Sequence, residues 1–122
     1  MPAERQPLGD RGERVAEAHL RKLGYTVVAR NFRCPQGEID LVAVDRGTIV
    51  FVEVKTRGGP AFGSPFEAVG RSKRRRLQRA AAVYLNRHRL HGRYARFDVI
   101  AVHWGPSGPA CELLRNAFEA GE

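Results

Sequence analysis

Four residues within Gly37–Arg57, GEIDLVAVDRGTIVFVEVKTR, have types and spacing suited to chemistry: Glu38, Asp40, Glu53 and Lys55. The stretch reads as two β-strands around a turn at Asp45-Arg46-Gly47-Thr48. With a loop of two or four residues, Val44 faces Ile49, Val42 faces Phe51, Asp40 faces Glu53 and Glu38 faces Lys55. Side chains alternate along a strand, so one face is expected to be wholly apolar: Ile39, Leu41, Ala43, Val50, Val52 and Val54. The other is apolar near the turn and charged at its far end. Carboxylates directly opposite in a hairpin have Cβ atoms roughly 4.5–5.5 Å apart and repel each other. A cation relieves that repulsion, and magnesium suits the place because it takes one or two carboxylates and keeps several waters. The same residues also admit a plain surface ion-pair cluster. An odd-length loop or a bulge would shift the register and undo the pairing.

The flanking elements must position this corner. Residues 1–8 read as a loose tail. Asp10 reads as an N-cap with Glu13 three positions on, a capping box. The helix it opens carries Val15, Ala16, Leu20 and Leu23 on one side and stops at Gly24. Glu13 lies near the edge of that side, where it either reaches toward the carboxylates or only caps the helix. Tyr25–Phe32 reads as a first strand, and Cys34-Pro35-Gln36-Gly37 as the turn into the hairpin. A Gly- and Pro-rich loop from Arg57 to Pro65 follows Lys55, placed either to close over a ligand or merely to connect. Ser72 is the expected N-cap of a long helix with Leu77, Ala80, Ala81, Tyr84, Leu85 and His88 along its core side. Phe97–Trp104 is nearly continuously apolar, the mark of a strand buried on both faces and paired in parallel after a helical crossover. Asp98 within it reads as a strand-edge carboxylate paired to Arg or Lys, ahead of a metal ligand. Residues 105–109 form a turn, and Cys111–Phe118 a short last element.

Length and charge bound the function. The 122 residues suffice for one domain, expected over 1–122. No apolar run is long enough to span a membrane, and the first residues lack a signal peptide's apolar region, so the expected compartment is the cytoplasm. Cys34 and Cys111 stand far apart, so free thiols are expected and a zinc site is not. The net charge of +8 is concentrated: residues 68–97 hold ten Lys or Arg and no acid, leaving 11 basic against 13 acidic residues elsewhere. That is the footprint of a polyanion partner, against the alternative of a solvated helix face. Lys73, Arg74, Arg75, Arg76 and Arg79 crowd a helix start, where they oppose the helix dipole unless phosphates lie there.

The order of Glu13 on a first helix, then Asp40, then Glu53-Val54-Lys55 on successive strands, resembles the PD-(D/E)xK nuclease superfamily. More closely, the chain resembles the YraN-like family of small bacterial proteins, similar to Holliday-junction resolvases. The likeness is carried by GERVAEAHLRKLGY (12–25), RNFRCPQGEIDLVAV (30–44), FVEVKTR (51–57), Lys73 with its helix, and RFDVIAV (96–102). Ile39 stands where the superfamily name has proline. The resemblance implies a single α/β domain with a mixed central β-sheet flanked by helices, a restriction-endonuclease-like core of the resolvase type. It implies that Asp40, Glu53 and the Val54 carbonyl bind Mg²⁺ or Mn²⁺, that Glu13 contributes directly or through water, and that Lys55 activates the attacking water. Arg57, Lys73, Arg74, Arg75, Arg76 and Arg79 would track the phosphate backbone. The implied function is metal-dependent cleavage of DNA, branched DNA included, by a chain that would pair into a homodimer. The alternatives are a catalytically silent nucleic-acid-binding module of this fold and a protein-interaction factor with a basic face.

Overall fold

The computed structural model describes residues 8–58 and 70–118. In chain order these form helix α1 (Leu8–Lys22), strands β1 (Thr26–Cys34), β2 (Gly37–Asp45) and β3 (Thr48–Gly58), helix α2 (Arg71–Arg87), and strands β4 (Ala95–Gly105) and β5 (Gly108–Phe118). The strands lie in sequence order in one sheet. All neighbours are antiparallel except β3 and β4, which run parallel across the α2 crossover. This mixed sheet between two helices is the α/β architecture expected of a resolvase-like core. No helix among the described residues is long and apolar enough to cross a membrane.

Each helix covers one face. Ala16 and Leu20 of α1 pack with Tyr25, Leu41, Ala43, Val50, Val52, Ile100 and Val102. Leu77, Ala80, Ala81 and Tyr84 of α2 pack with Ile39, Val42, Ile49, Phe51, Phe97 and Phe118. The expected helical stripe is thus the core side of α2, except that the helix ends at Arg87 and His88 is its C-cap. The expected doubly buried strand is β4, where residues 97–102 are all buried.

Several boundaries differ from the sequence reading. Helix α1 already begins at Leu8, so Asp10 lies inside its first turn and is not its N-cap. The rest of the expected tail lies outside the described residues. Gly24 does end the helix: at φ +94 it donates to Arg21 while Tyr25 donates to the Leu20 carbonyl, the paired bonds of a Schellman motif. Leu23 follows the last helical residue and is 44 % exposed, so it leaves the core side. The N-cap of α2 is Gly70, without a side-chain cap, and Ser72 sits within the helix. The last element is a full strand, because Gly105 pairs with Gly108 and carries the ladder on to Phe118. The Gly- and Pro-rich loop falls outside the described residues beyond Gly58.

The β2–β3 hairpin has the two-residue loop, with Arg46 and Gly47 both at positive φ as a type I′ turn requires. Its register is the expected one from Asp45↔Thr48 to Leu41↔Val52. The wholly apolar face is not as expected, because Ile39 belongs to the α2-side core while Leu41 belongs to the α1-side core. On the neighbouring strand, Phe32 opposite Ile39 and Arg30 opposite Leu41 flank Asn31, which stands at φ +50. A left-handed residue within a strand breaks strict alternation on that strand, and Asp40 of β2 stands opposite it.

Asp98 is paired with Arg96, as expected, but it is no strand-edge group: it is 1 % exposed on an interior strand. Arg96 Nε donates to its Oδ1 at 3.0 Å, the Tyr25 hydroxyl to its Oδ2 at 2.9 Å and the Asn116 amide to its Oδ1 at 2.9 Å. Arg96 also reaches Asp45 at 2.9 Å. Burial pushes the Tyr25 hydroxyl up, and the neighbouring Asp98 adds to the shift. Asp98→Ala leaves these donors unmatched and should cost about 3 kcal/mol in urea unfolding, in the range for breaking a buried ion pair.

Glycine at position 12 sets how closely α1 lies on the sheet. A Cβ there would meet Thr56 Oγ1 at 1.9 Å. Gly12→Ala should therefore lift the start of α1 and cost about 1–3 kcal/mol by overpacking. Adding Thr56→Ala should recover part of that loss; equal midpoints for the single variant and the wild type would refute the contact.

Candidate active site

The carboxylate corner forms where β2 and β3 part. Their ladder ends at Leu41↔Val52, and beyond it the Asp40 side chain takes the place of a backbone partner: Val54 N–H donates to Asp40 Oδ2 at 2.8 Å. Asp40 is 8 % and Glu53 6 % exposed. The two carboxyl groups lie close enough to share a proton. Burial, the hydrogen bond with Glu53 and repulsion from its charge push Asp40 up to about 9. Burial also works to raise Glu53, but its contacts with the Asp40 carboxyl and the Lys73 ammonium outweigh it and hold this carboxyl low. The pair therefore favours keeping one proton, and Asp40 is the carboxyl whose affinity for it is pushed up.

Two lysines complete the corner. Lys73, from the first turn of α2, lies 2.7 Å from Glu53 Oε2. The contact is ionic and poorly directed, since this shielded oxygen has no hydrogen-bond donor in proper geometry. Lys55 on β3 meets Lys73, and burial together with that neighbour lowers its affinity for a proton. Burial works against the charge on Lys73 too, yet its bonds to Glu53 and Lys55 keep its pKa raised.

The other expected residues divide. Glu13 is near enough to act on Asp40 as a like charge, but it lines a neighbouring cleft with Arg14, Glu17, Arg30, Asn31 and Leu41. Among the described residues no three His, Cys, Asp or Glu side chains converge as a metal-binding group. Glu38 does not face Lys55; it is exposed and pairs with Arg33 at 3.1 Å. Val54 lies between Glu53 and Lys55 with its side chain turned to the α1-side core. Arg57 belongs to β3, and its side chain lies outside the described residues. Arg75, Arg76 and Arg79 are exposed and share a groove with Arg71 and Ser72. Arg74 instead turns over the ring of Phe118, at 6.0 Å. The ion pair of Lys73 with Glu53 escaped the sequence reading, which assigned Lys73 to the phosphate-binding face. So did Arg33, which lines a cleft with Glu38, Lys73 and Arg76.

The raised Asp40 has a consequence for stability without metal. An unfolded aspartate loses its proton near pH 4, whereas folded Asp40 keeps it to about 9. Over that window the folded state binds more protons, so the contribution of protonated Asp40 is full below pH 4 and is lost as pH rises toward 9. Asn has the shape of the protonated acid and cannot ionise. In EDTA, Asp40→Asn should melt above the wild type, with a gap wider at pH 8 than at pH 5. A gap that stays constant or narrows would refute a shared proton.

Comparison with known proteins gives the corner its family setting. The model of "Uncharacterised protein family UPF0102" matches residues 12–102. A UPF0102 protein of Desulfosudis oleivorans is 46% identical over 98% of this chain and 96% of its own. One from Symbiobacterium thermophilum is 49% identical over 93% of this chain and 97% of its own. A third, from Beutenbergia cavernae, is 55% identical over 89% of this chain and 93% of its own. With likeness of this depth running from Gly12 on α1 to Val102 on β4, the chain belongs to the UPF0102 family, the YraN-like proteins.

Proposed function

We propose that this protein is a metal-dependent endonuclease that hydrolyses phosphodiester bonds of DNA, branched DNA included. The observation that carries the reading is the buried contact of Asp40 with Glu53 beside Lys55. Burying two carboxylates together is costly unless a proton or a cation compensates. A structural role alone gives the chain no reason to keep them, since an apolar pair would fill the space at lower cost.

The donor set fits a hard divalent cation. Asp40 and Glu53 offer carboxylate oxygens, and Glu53 Oε2 is buried without a directed donor. Magnesium and manganese favour such oxygens, and magnesium needs only one or two carboxylates. Asp40, Glu53 and the Val54 carbonyl would hold the ion, with Glu13 acting at a distance. When bound, the ion supplies Lewis acidity at the scissile phosphate and acidifies water. Lys55 is suited to orient the attacking water and to stabilise charge on the phosphoryl oxygens, its proton affinity being lowered by burial and by Lys73. Arg75, Arg76 and Arg79 on the exposed side of α2 would hold the backbone without reading bases.

A second reading has one observation in its favour. The Glu53–Lys73 ion pair satisfies the acid without metal, as in a module that binds nucleic acid without cleaving it. The two readings part in one assay. Endonuclease action predicts Mg²⁺- or Mn²⁺-dependent nicking of linear, flapped or four-way DNA, lost in Asp40→Ala, Glu53→Ala and Lys55→Ala while binding persists. Absence of cleavage on all three substrates with both metals, alongside tight salt-dependent binding, would leave the binding module. If about six phosphates are contacted, the log–log salt slope of binding should be near −5.

A further inference from the structure

Lys73 holds a position that a phosphate-tracking role does not explain. Its ammonium lies against Glu53 Oε2 at 2.7 Å, the place a cation must take to use that oxygen. The partners are unequal. The Glu53 side chain is 7% exposed and built into the sheet, whereas that of Lys73 is 37% exposed on the first turn of a helix. The contact lacks hydrogen-bond direction, so exchange for another cation forfeits little beyond the charge attraction.

Lys73 also has somewhere else to go. Its side chain already lines a cleft together with Arg33, Glu38 and Arg76 and with Cys34, Gly37 and Leu77. The cleft is firmly framed: a Cβ on Gly37 would come within 3.0 Å of the Arg76 carbonyl oxygen, so the β1–β2 turn rests on α2. Among the described residues its one acid is Glu38, which pairs with Arg33 on the exposed surface, where such pairs are weak. With the Lys73 ammonium turned fully into it, the described lining would offer three cations against one acid and would suit a phosphodiester.

We propose that Lys73 is a resident counter-ion of the carboxylate pair: it caps Glu53 while no metal is bound, and a divalent cation displaces it toward a backbone phosphate held with Arg33 and Arg76. The proposal rests on the metal-centre reading above. Charge explains the exchange. Metal binding displaces the proton from Asp40; with both acids then ionised, Lys55 and Lys73 alone balance them, and the divalent ion leaves two surplus positive charges. The ammonium in direct contact with Glu53 is then the group expelled, and a phosphate in the cleft compensates it. Metal and DNA would thereby bind cooperatively, each removing an obstacle to the other.

The test measures Mn²⁺ binding to the full chain by electron paramagnetic resonance, without DNA, for the wild type, Lys73→Met and Lys73→Gln. If the lysine covers Glu53 nine-tenths of the time, apparent affinity is weakened about tenfold, so both variants should bind Mn²⁺ about tenfold more tightly. In parallel, the salt slope for a short DNA duplex is measured in EDTA and in Ca²⁺. Loss of Lys73 should reduce the slope by about one in Ca²⁺ and leave it unchanged in EDTA, because its phosphate contact forms only once the metal site is filled. Unchanged or weaker Mn²⁺ binding in both variants overturns the proposal. So does a slope that falls equally in both buffers or in neither. Adding Glu53→Ala to Lys73→Met separates the two ideas: Mn²⁺ binding that survives this change, or is absent throughout, removes the metal centre itself. Binding that requires Glu53 but ignores Lys73 removes only the counter-ion role.

Discussion

Two carboxyl groups pressed together out of water are a standing electrostatic problem, and the structure around Asp40 and Glu53 is arranged around that problem. Their contact exists because β2 and β3 cease to pair after Leu41↔Val52, which frees Val54 N–H to donate to Asp40 rather than to a neighbouring strand. The parting follows a break in alternation on β2, matched by Asn31 at positive φ on β1. Once the acids meet, a proton must remain on one of them or a cation must lie between them. The lysines on β3 and α2 stand where either demand is met.

A second buried acid shows what a finished structural network looks like. Asp98 is more deeply buried than either site carboxylate, yet it receives hydrogen bonds from Arg96, Tyr25 and the Asn116 amide. Arg96 in turn joins Asp45 at the hairpin turn, and desolvation of its guanidinium is outweighed by the bonds to Asp98 and Asp45. That cluster ties three strands and the end of α1 together with nothing left for a ligand. Glu53, by contrast, keeps an oxygen that no donor addresses squarely. Both acids lie in the same sheet, and the difference in satisfaction separates a fastening from a site.

Helix α2 contributes on two sides. Its apolar side closes the core beneath the sheet, while its first turns carry basic residues, no acid and no side-chain cap. Those choices weaken an isolated helix. They cost the folded protein less, because Lys73 finds Glu53 and Arg74 spreads over the Phe118 ring. Arg75, Arg76 and Arg79 remain toward solvent. One helix thus joins the carboxylate corner to a groove lined by Arg71, Arg75, Arg76 and Arg79.

The amino-acid sequence alone determined the place of the hairpin turn at Asp45–Thr48, the Val42↔Phe51 register, the core side of α2, the buried β4 and the Asp40–Glu53–Lys55 grouping. These follow from local periodicity, turn chemistry and strand pairing, which act over a few residues and are written in residue order. The sequence did not determine the helix starts, because Asp10 and Ser72 are good caps that the backbone leaves inside α1 and α2. Nor did it place Ile39 and Leu41 on different faces, since an irregularity at one residue between them is invisible to a pattern of period two. Only the tertiary structure decided that Glu38 turns to Arg33, that Asp98 is enclosed by Tyr25 and Asn116, and that Lys73 reaches Glu53. Each of those contacts depends on how separate elements dock, and docking is fixed by core packing rather than by the identity of the charged residues it brings together.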